Sequence, residues 1–243
     1  MGGDGNAIQD GAVLGLAGVD ARIEPFDWAF ARDNAPAIAA HWAKISAGKP
    51  AMFNGRVLLQ HRLSIADGVC EAGYFPVDYA AFMTWRDFGH PGAVIRNGFA
   101  MAALRAADGA FLCGVMGAHT ANPGKVYFAA GTPDLDDARP DGTLDLAGSV
   151  TRELFEETGL TGADVEVSES WEAVTAPGRI AFMRPVAIAM PAEEARAMML
   201  ERMALQDEPE LADIAIIRDA EDAAARDMPP FMRRYLDHIW SRG

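Results

Sequence analysis

Apolar residues along this chain change period several times, and each change predicts an element. Ile38, Trp42 and Ile45 share one face of a helix over 33–46, with Asp33 or Asn34 as cap and Lys49-Pro50 as stop. A turn at 52–55 leads into a partly alternating strand over 56–65, and 68–74 reads as its hairpin partner. A second helix over 76–88 groups Tyr79, Phe82 and Met83. His90-Pro91-Gly92 is a breaker cluster and the best candidate boundary. Strands over 99–104 and 110–115 follow, joined by the turn Ala107-Asp108-Gly109, and then an apolar stretch over 126–130. Beyond a helical run that begins after Asp145 come strands at 164–167, 171–174 and 180–190. A helix over 192–205, a strand at 214–217 and a last helix over 230–240 complete the series. The last helix carries Phe231, Tyr235, Leu236 and Ile239 on one face. The first 20 residues, rich in Gly and Ala, show no period and read as loosely ordered. Strands and helices intermix without regular βαβ alternation, so the fold class is α+β or layered α/β/α.

Chemistry concentrates in one helical run. In Arg152-Glu153-Leu154-Phe155-Glu156-Glu157-Thr158-Gly159-Leu160, a helical advance of about 100° per residue puts Glu153, Glu156 and Glu157 on one arc. Three neighbouring carboxylates repel one another unless a cation sits among them, and hard cations such as Mg²⁺ take such oxygens and serve phosphate chemistry. Arg152, four residues before Glu156, can pair with it. Asp145 suits an N-cap, and Leu146, Val150 and Leu154 form an apolar stripe. Gly159 suits a C-terminal stop, with Leu160 in the accompanying apolar contact. The plain alternative is a solvated acidic face with i,i+4 pairs.

The order Arg-Glu-apolar-any-Glu-Glu-any-Gly-apolar resembles the second half of the Nudix box, matched by Arg152, Glu153, Leu154, Glu156, Glu157, Gly159 and Leu160. The first half departs from that pattern. Its glutamate slot holds Leu144 and its glycine slot Ala138; Asp145 stands beside the first, and Gly131 ends the 126–130 stretch as the family's glycine ends a strand. An insertion over 134–142 accommodates the difference. The resemblance implies an α/β/α sandwich with a mixed sheet over 92–243, preceded by a small α/β accessory segment over 1–91. It implies hydrolysis of a pyrophosphate linkage in a nucleoside diphosphate derivative, with Mg²⁺ or Mn²⁺ held by Glu153, Glu156 and Glu157 and oriented through Arg152. A nucleotide sugar or an ADP-ribose-like compound is the leading substrate, and homodimers are common in the family. A nucleotide-sensing module without turnover is the rival reading, favoured by the altered first half. Phe53-Asn54-Gly55 followed by Tyr79-x-x-Phe82 also loosely resembles the UDP-glucose and UDP-galactose pyrophosphatase branch.

Other residues are read against plainer roles. Glu208 and Glu210, in a loop stiffened by Pro209, are candidate general bases, against a solvated acidic loop. Backbone at Gly131 can approach phosphates closely, and Phe128 and Trp171 could stack on a base or sugar, against ordinary core burial. Arg179 and Arg184 read as surface charge or phosphate contacts, Met198, Met199 and Met203 as core filling, and the scattered histidines as structural or surface groups, His119 lying in a loop near the box. Gly148 weakens the helix it sits in unless something packs closely there.

The chain has 243 residues and a net charge of −14, which argues against a nucleic-acid binder but not against a small phosphorylated substrate neutralised by metal. Cys70 and Cys113 fit buried free thiols in a reducing compartment, and Met1–Asn6 lacks the pattern of a signal peptide, so a cytoplasmic protein is expected. No apolar run is long enough to span a membrane.

Overall fold

Alternate residues of one strand, β5 (Asn97–Ala106), feed two different cores. Ala100, Ala102, Leu104 and Ala106 point to one face of the sheet, and Met101 and Ala103 to the other. A strand buried on both faces requires covering layers on each side. In the computed structural model, which describes residues 10–49, 52–92 and 94–242, these layers are helices. Met1–Asn6 and Pro50 lie outside the described residues.

The main sheet runs β1 (Val13–Leu16), β9 (Trp171–Ala176), β10 (Arg179–Ile188), β5, β6 (Phe111–Met116), β11 (Leu211–Ile217). The short strands β7 (Val126–Tyr127) and β8 (Val165–Val167) pair with β6 and β10. At its centre β10 runs parallel to β5, from Arg179 opposite Asn97 to Ile188 opposite Ala106; the other pairings are antiparallel. The sheet is therefore mixed and the fold α+β. Helices α4 (Leu146–Thr158) and α5 (Ala192–Met203) cover one face through Leu146, Val150, Leu154, Met199 and Met203. Helices α6 (Ala220–Ala224) and α7 (Pro230–Trp240) cover the other through Ala223, Phe231, Met232, Tyr235 and Leu236.

A second sheet of three strands has the order β2 (Gly18–Ile23), β4 (Val69–Asp78), β3 (Arg56–Ala66). The β3–β4 hairpin turns at Asp67-Gly68, both with positive φ (51° and 77°), the conformation in which Gly costs least. With α1 (Ala29–Asp33), α2 (Ala35–Ser46) and α3 (Tyr79–Asp87), this sheet encloses a cluster around Trp28, Phe75, Phe82 and Trp85. It is stitched to the rest by backbone: Gln60 and Arg96 exchange hydrogen bonds (2.8 and 2.9 Å), Leu58 donates to Pro133 O (2.8 Å), and Leu144 donates to Ala21 O (2.8 Å). Leu58, Ala72 and Tyr74 join the same core as the α4 stripe.

Two expectations change. Residues 13–23 are not loose: β1 pairs with β9 and β2 runs parallel to β4, partners distant in sequence that no local pattern announces. The stretch 126–130 is a strand only at Val126–Tyr127. Ladder pairing with β6 stops there, and the Ala130 amide turns to the Glu157 carboxylate. The helix expected over 33–46 is present as α2, with Asn34 at its N-cap, and a short helix, α1, precedes it. Cys70 and Cys113 are buried free thiols, and burial pushes the Cys70 thiol up to about 12. Among the described residues, no helix is long and apolar enough to cross a membrane.

Candidate active site

The box helix is fixed at both ends by side chains. Asp145 caps α4 by accepting from the Gly148 amide at 2.8 Å. The Asp145 carboxylate also accounts for Gly148, since a Cβ there would lie 2.6 Å from Oδ2. At the other end Gly159 is left-handed (φ 73°), its amide donates to Phe155 O at 2.7 Å, and Leu160 is buried behind it. Two side chains from the region of α5 satisfy the exposed carbonyls: Arg202 Nη1 donates to Gly159 O (2.8 Å) and Gln206 Nε2 to Glu156 O (2.8 Å). The same guanidinium grips Asp164 bidentately (2.7 and 2.9 Å), which holds that carboxyl well below its usual range. Arg202→Ala removes this clamp, and a loss of about 1–2 kcal/mol of stability in urea melts is expected. An unchanged midpoint would show the clamp to be incidental.

The three carboxylates on α4 do not share one environment. Glu157 is buried (4% exposed), accepts from the Ala130 amide at 3.1 Å through Oε1, and leaves Oε2 buried without a partner. Glu153, one turn earlier on the same side, is half-buried and lies against Gly131, where a Cβ would overlap its carboxylate. Glu156 faces outward and is exposed. Burial pushes the Glu153 carboxyl up to about 7, a rise that Arg152 opposes and that Glu156 and Glu210 reinforce. Burial likewise pushes Glu157 up to about 8; the Ala130 amide opposes it, while the charges of Glu153, Glu210 and Glu156 add to it. Burial thus penalises the charged form of both carboxyls.

Arg152 is oriented by a residue the sequence reading passed over. Its Nη1 lies 2.9 Å from Oδ1 of Asp137, which is buried, whereas Glu153 is 3.4 Å away and Glu156, the expected partner, 4.0 Å. Asp137 ends a 3₁₀ turn, Leu135–Asp137, whose capping box joins it to Asp134. This turn is the first part of the 134–142 insertion. Asp145 accepts from the Gly148 amide as N-cap and pairs with Arg139 (2.8 Å). The signal was the sequence Asp134-Leu135-Asp136-Asp137 itself, a capping pattern inside a segment read only as a loop.

Of the other expected site residues, the structure brings some together. Glu210 is exposed, but its charge reaches both Glu153 and Glu157, and its carbonyl accepts from the Gly117 amide at 2.7 Å. Glu208 is exposed, and its charge is not among the leading influences on either carboxyl. Phe128 is fully buried against Phe111 and Tyr235, and Trp171 is buried beneath the Arg184 guanidinium, 5.0 Å from its ring centroid. Neither lines the cavity beside the carboxylates. That cavity, about 510 Å³, is lined by Ala130 and Gly131 and walled by Tyr79, Phe99, Tyr127 and Phe231. Sequence reasoning missed these aromatic walls because α3, β5, β7 and α7 meet only in three dimensions.

The donor chemistry fits a divalent cation: carboxylate oxygens, one of them orphaned, beside a glycine that leaves room. Among the described residues, however, no three His, Cys, Asp or Glu side chains stand grouped closely enough to hold an ion as they are. Glu156 is turned about 60° from Glu153 toward solvent, as helical geometry requires.

No protein-family model and no curated protein matches the sequence. Solved structures of Nudix hydrolases do match it, at low identity. The Nudix hydrolase RenU from M. smegmatis is 16% identical, with 60% of this chain and 85% of that chain covered and a TM-score of 0.40. An Ap4A hydrolase from C. elegans, solved as a binary complex, is 15% identical over 59% of this chain and 96% of its own, with a TM-score of 0.43. A MutT protein from Methanosarcina mazei Go1 is 17% identical over 60% and 94%, with a TM-score of 0.38. None of the three is described as acting on a UDP-sugar. The Phe53-Asn54-Gly55 turn has a structural account of its own: Asn54 Oδ1 accepts from the Ala80 amide at 2.7 Å and so caps α3.

Proposed function

We propose that this protein is a Nudix-type hydrolase that cleaves the pyrophosphate linkage of a nucleoside diphosphate derivative with the help of a divalent cation. One observation carries the reading: buried Glu157, with one oxygen unpartnered, and half-buried Glu153 stand one helical turn apart beside Gly131, which lines a cavity of substrate size. Ionised, the two carboxylates carry a cost of desolvation and mutual repulsion that a bound cation would relieve. We assign Glu153 and Glu157 as the inner ligands and Glu156 as the outer one. Bound Mg²⁺ or Mn²⁺ would supply charge neutralisation on the pyrophosphate oxygens and a more acidic attacking water.

The residues of the chain prepare the rest. Asp137 holds Arg152, which in turn holds Glu153 in its inward orientation. The Ala130 amide fixes one oxygen of Glu157 and leaves the other free. In the reaction water adds to one phosphorus, the bridging P–O bond breaks, and the departing phosphate carries away the electron pair. Glu210 is assigned as the group that takes the proton from water, because of the two loop glutamates it is the one among the leading influences on the α4 carboxyls. Segment 1–91 supplies the α3 wall of the cavity and 92–243 the reacting groups, with a nucleotide sugar or an ADP-ribose-like compound as leading substrate.

The second reading, a nucleotide-sensing module, rests on the absence of a closed ligand cluster among the described residues. Phosphate release from nucleotide sugars, ADP-ribose, dinucleoside polyphosphates and nucleoside triphosphates, with Mg²⁺ or Mn²⁺ and a coupled phosphatase, separates the two. Metal-dependent cleavage of one class is expected. A folded protein that binds nucleotide and metal but cleaves none of them would establish the sensing module instead.

A further inference from the structure

The cavity beside the carboxylates is of opposite charge to the chain that builds it. The protein has 35 acidic residues against 21 Lys and Arg, yet the cavity is lined by Arg86, Lys125 and Arg179 and by no aspartate or glutamate. Two of these cations are already engaged. Lys125 Nζ is bound to Asp227 at 2.7 Å. Arg86 pairs with the adjacent Asp87 (3.0 Å), a carboxylate that His41 also contacts at 2.8 Å.

Arg179 differs. Among the described residues it has no carboxylate partner, and its guanidinium lies over the Phe231 ring, 5.8 Å from the centroid. Phe231 is itself held edge-on by Phe99 at 5.8 Å. Burial, and then the like charge of Arg86, press the Arg179 pKa down, so the guanidinium sits where a charge is costly. His90, on the same wall, is pushed down by burial and by both arginines, which favours its neutral form. Two arginines lining one cavity, one of them without a carboxylate partner among the described residues, suit an anion, and a planar fork suits phosphate.

The backbone ties this corner to the reacting end. Arg179 begins β10 opposite Asn97 of β5, and Asn97 Nδ2 lies 3.5 Å from Thr132 Oγ1, next to Gly131. We propose that Arg179, with Arg86 beside it, is a metal-independent phosphate-binding subsite that seats a phosphate group of the substrate in the cavity and orients it toward the α4 carboxylates. The subsite deepens the proposed hydrolase reading by naming what recognises substrate apart from the cation. It also sets a preference: a ligand without a phosphate group loses this contact altogether.

The test uses the full chain in EDTA, so that the carboxylate site contributes nothing. Isothermal titration with pyrophosphate, with UMP and with uridine is expected to show binding of a phosphate-bearing probe and none of uridine. Arg179→Gln should weaken that binding by at least about 10-fold, with Arg179→Lys between it and the parent. Arg86→Gln is the second variant, kept in case Arg179→Gln lowers the melting temperature. Stronger loss for pyrophosphate places the bridge itself on the arginines, and stronger loss for UMP places the nucleoside monophosphate there; either upholds the subsite. Equal affinity in parent and folded Arg179→Gln, or no binding of either phosphate probe by the folded parent, overturns it. Binding without hydrolysis of any substrate would leave the subsite standing while removing the hydrolase assignment, so the two failures are distinguishable.

Discussion

Glu157→Gln is expected to abolish metal-dependent hydrolysis and, in EDTA at alkaline pH, to make the protein more stable than the parent. The two effects have one cause. A neutral isostere keeps the shape and the contact with the Ala130 amide but removes a charge that is buried with one oxygen unpaired. Loss of an electrostatic group at a reacting centre costs roughly 10²–10³-fold in rate. The stability gain follows from linkage. The Glu157 carboxyl is raised from 4.5 to about 8, so between those values the native state keeps a proton that the unfolded chain has released. Its contribution to stability is full below about pH 4.5 and is lost as pH rises through about 8. The metal-free parent should therefore lose on the order of a few kcal/mol across this range, and Glu157→Gln should lose much less. Added Mg²⁺ should restore the parent at high pH and leave the variant unmoved. Thermal melts at pH 5 to 9 with EDTA or Mg²⁺, beside the hydrolysis assay, decide it. A variant that melts below the parent in EDTA at alkaline pH, or that keeps its activity, would falsify the assignment.

Gly131→Ala is expected to leave the fold intact and to lower turnover by about 10²-fold. The new Cβ would overlap the Glu153 carboxylate, the far end of a flexible side chain and not a piece of backbone. The fold can yield there cheaply, within about 1 kcal/mol, because a glutamate can change rotamer. The site cannot, because a displacement of about 1 Å at the reacting centre is enough to cost 10²-fold. A second substitution sharpens the result. Glu153→Asp withdraws the carboxylate by one methylene, and combined with Gly131→Ala it should recover part of the fold's comfort without the rate. Comparing kcat, KM and melting temperature of the single variant with the parent is sufficient. Lost activity together with a melting temperature lower by ten degrees or more would mean that Gly131 is needed for folding and not for the carboxylate.

Between them, these variants separate the two ways a helix residue can matter. Glu157 acts by charge, and Gly131 by leaving space for the charge on its neighbour. Both depend on α4 being held rigid, which is the work of Asp145 at one end and of Gly159, Arg202 and Gln206 at the other. The cavity wall opposite is held by Asn54, which caps α3, so that Tyr79 and Arg86 face the same space as Gly131. The short Phe53-Asn54-Gly55 turn thus serves the site through helix capping.

By itself the sequence determined whatever depends on near neighbours. The α4 boundaries follow from Asp145 and Gly159, the apolar stripe of Leu146, Val150 and Leu154 from helical period, and the last helix from Pro230 and its amphipathic face, because caps, stops and period act within a few residues. The carboxylate arc was legible for the same reason. Only the tertiary structure decided which of those carboxylates is buried, since that depends on the loop 128–132 crossing Glu153 and Glu157 but not Glu156. It also decided that Asp137 and not Glu156 holds Arg152, that residues 13–23 enter two sheets, and that Arg179 lies over the Phe231 ring with no carboxylate partner among the described residues. Each of these joins residues far apart in the chain, where no local periodicity or propensity operates and the outcome rests on which surfaces pack together.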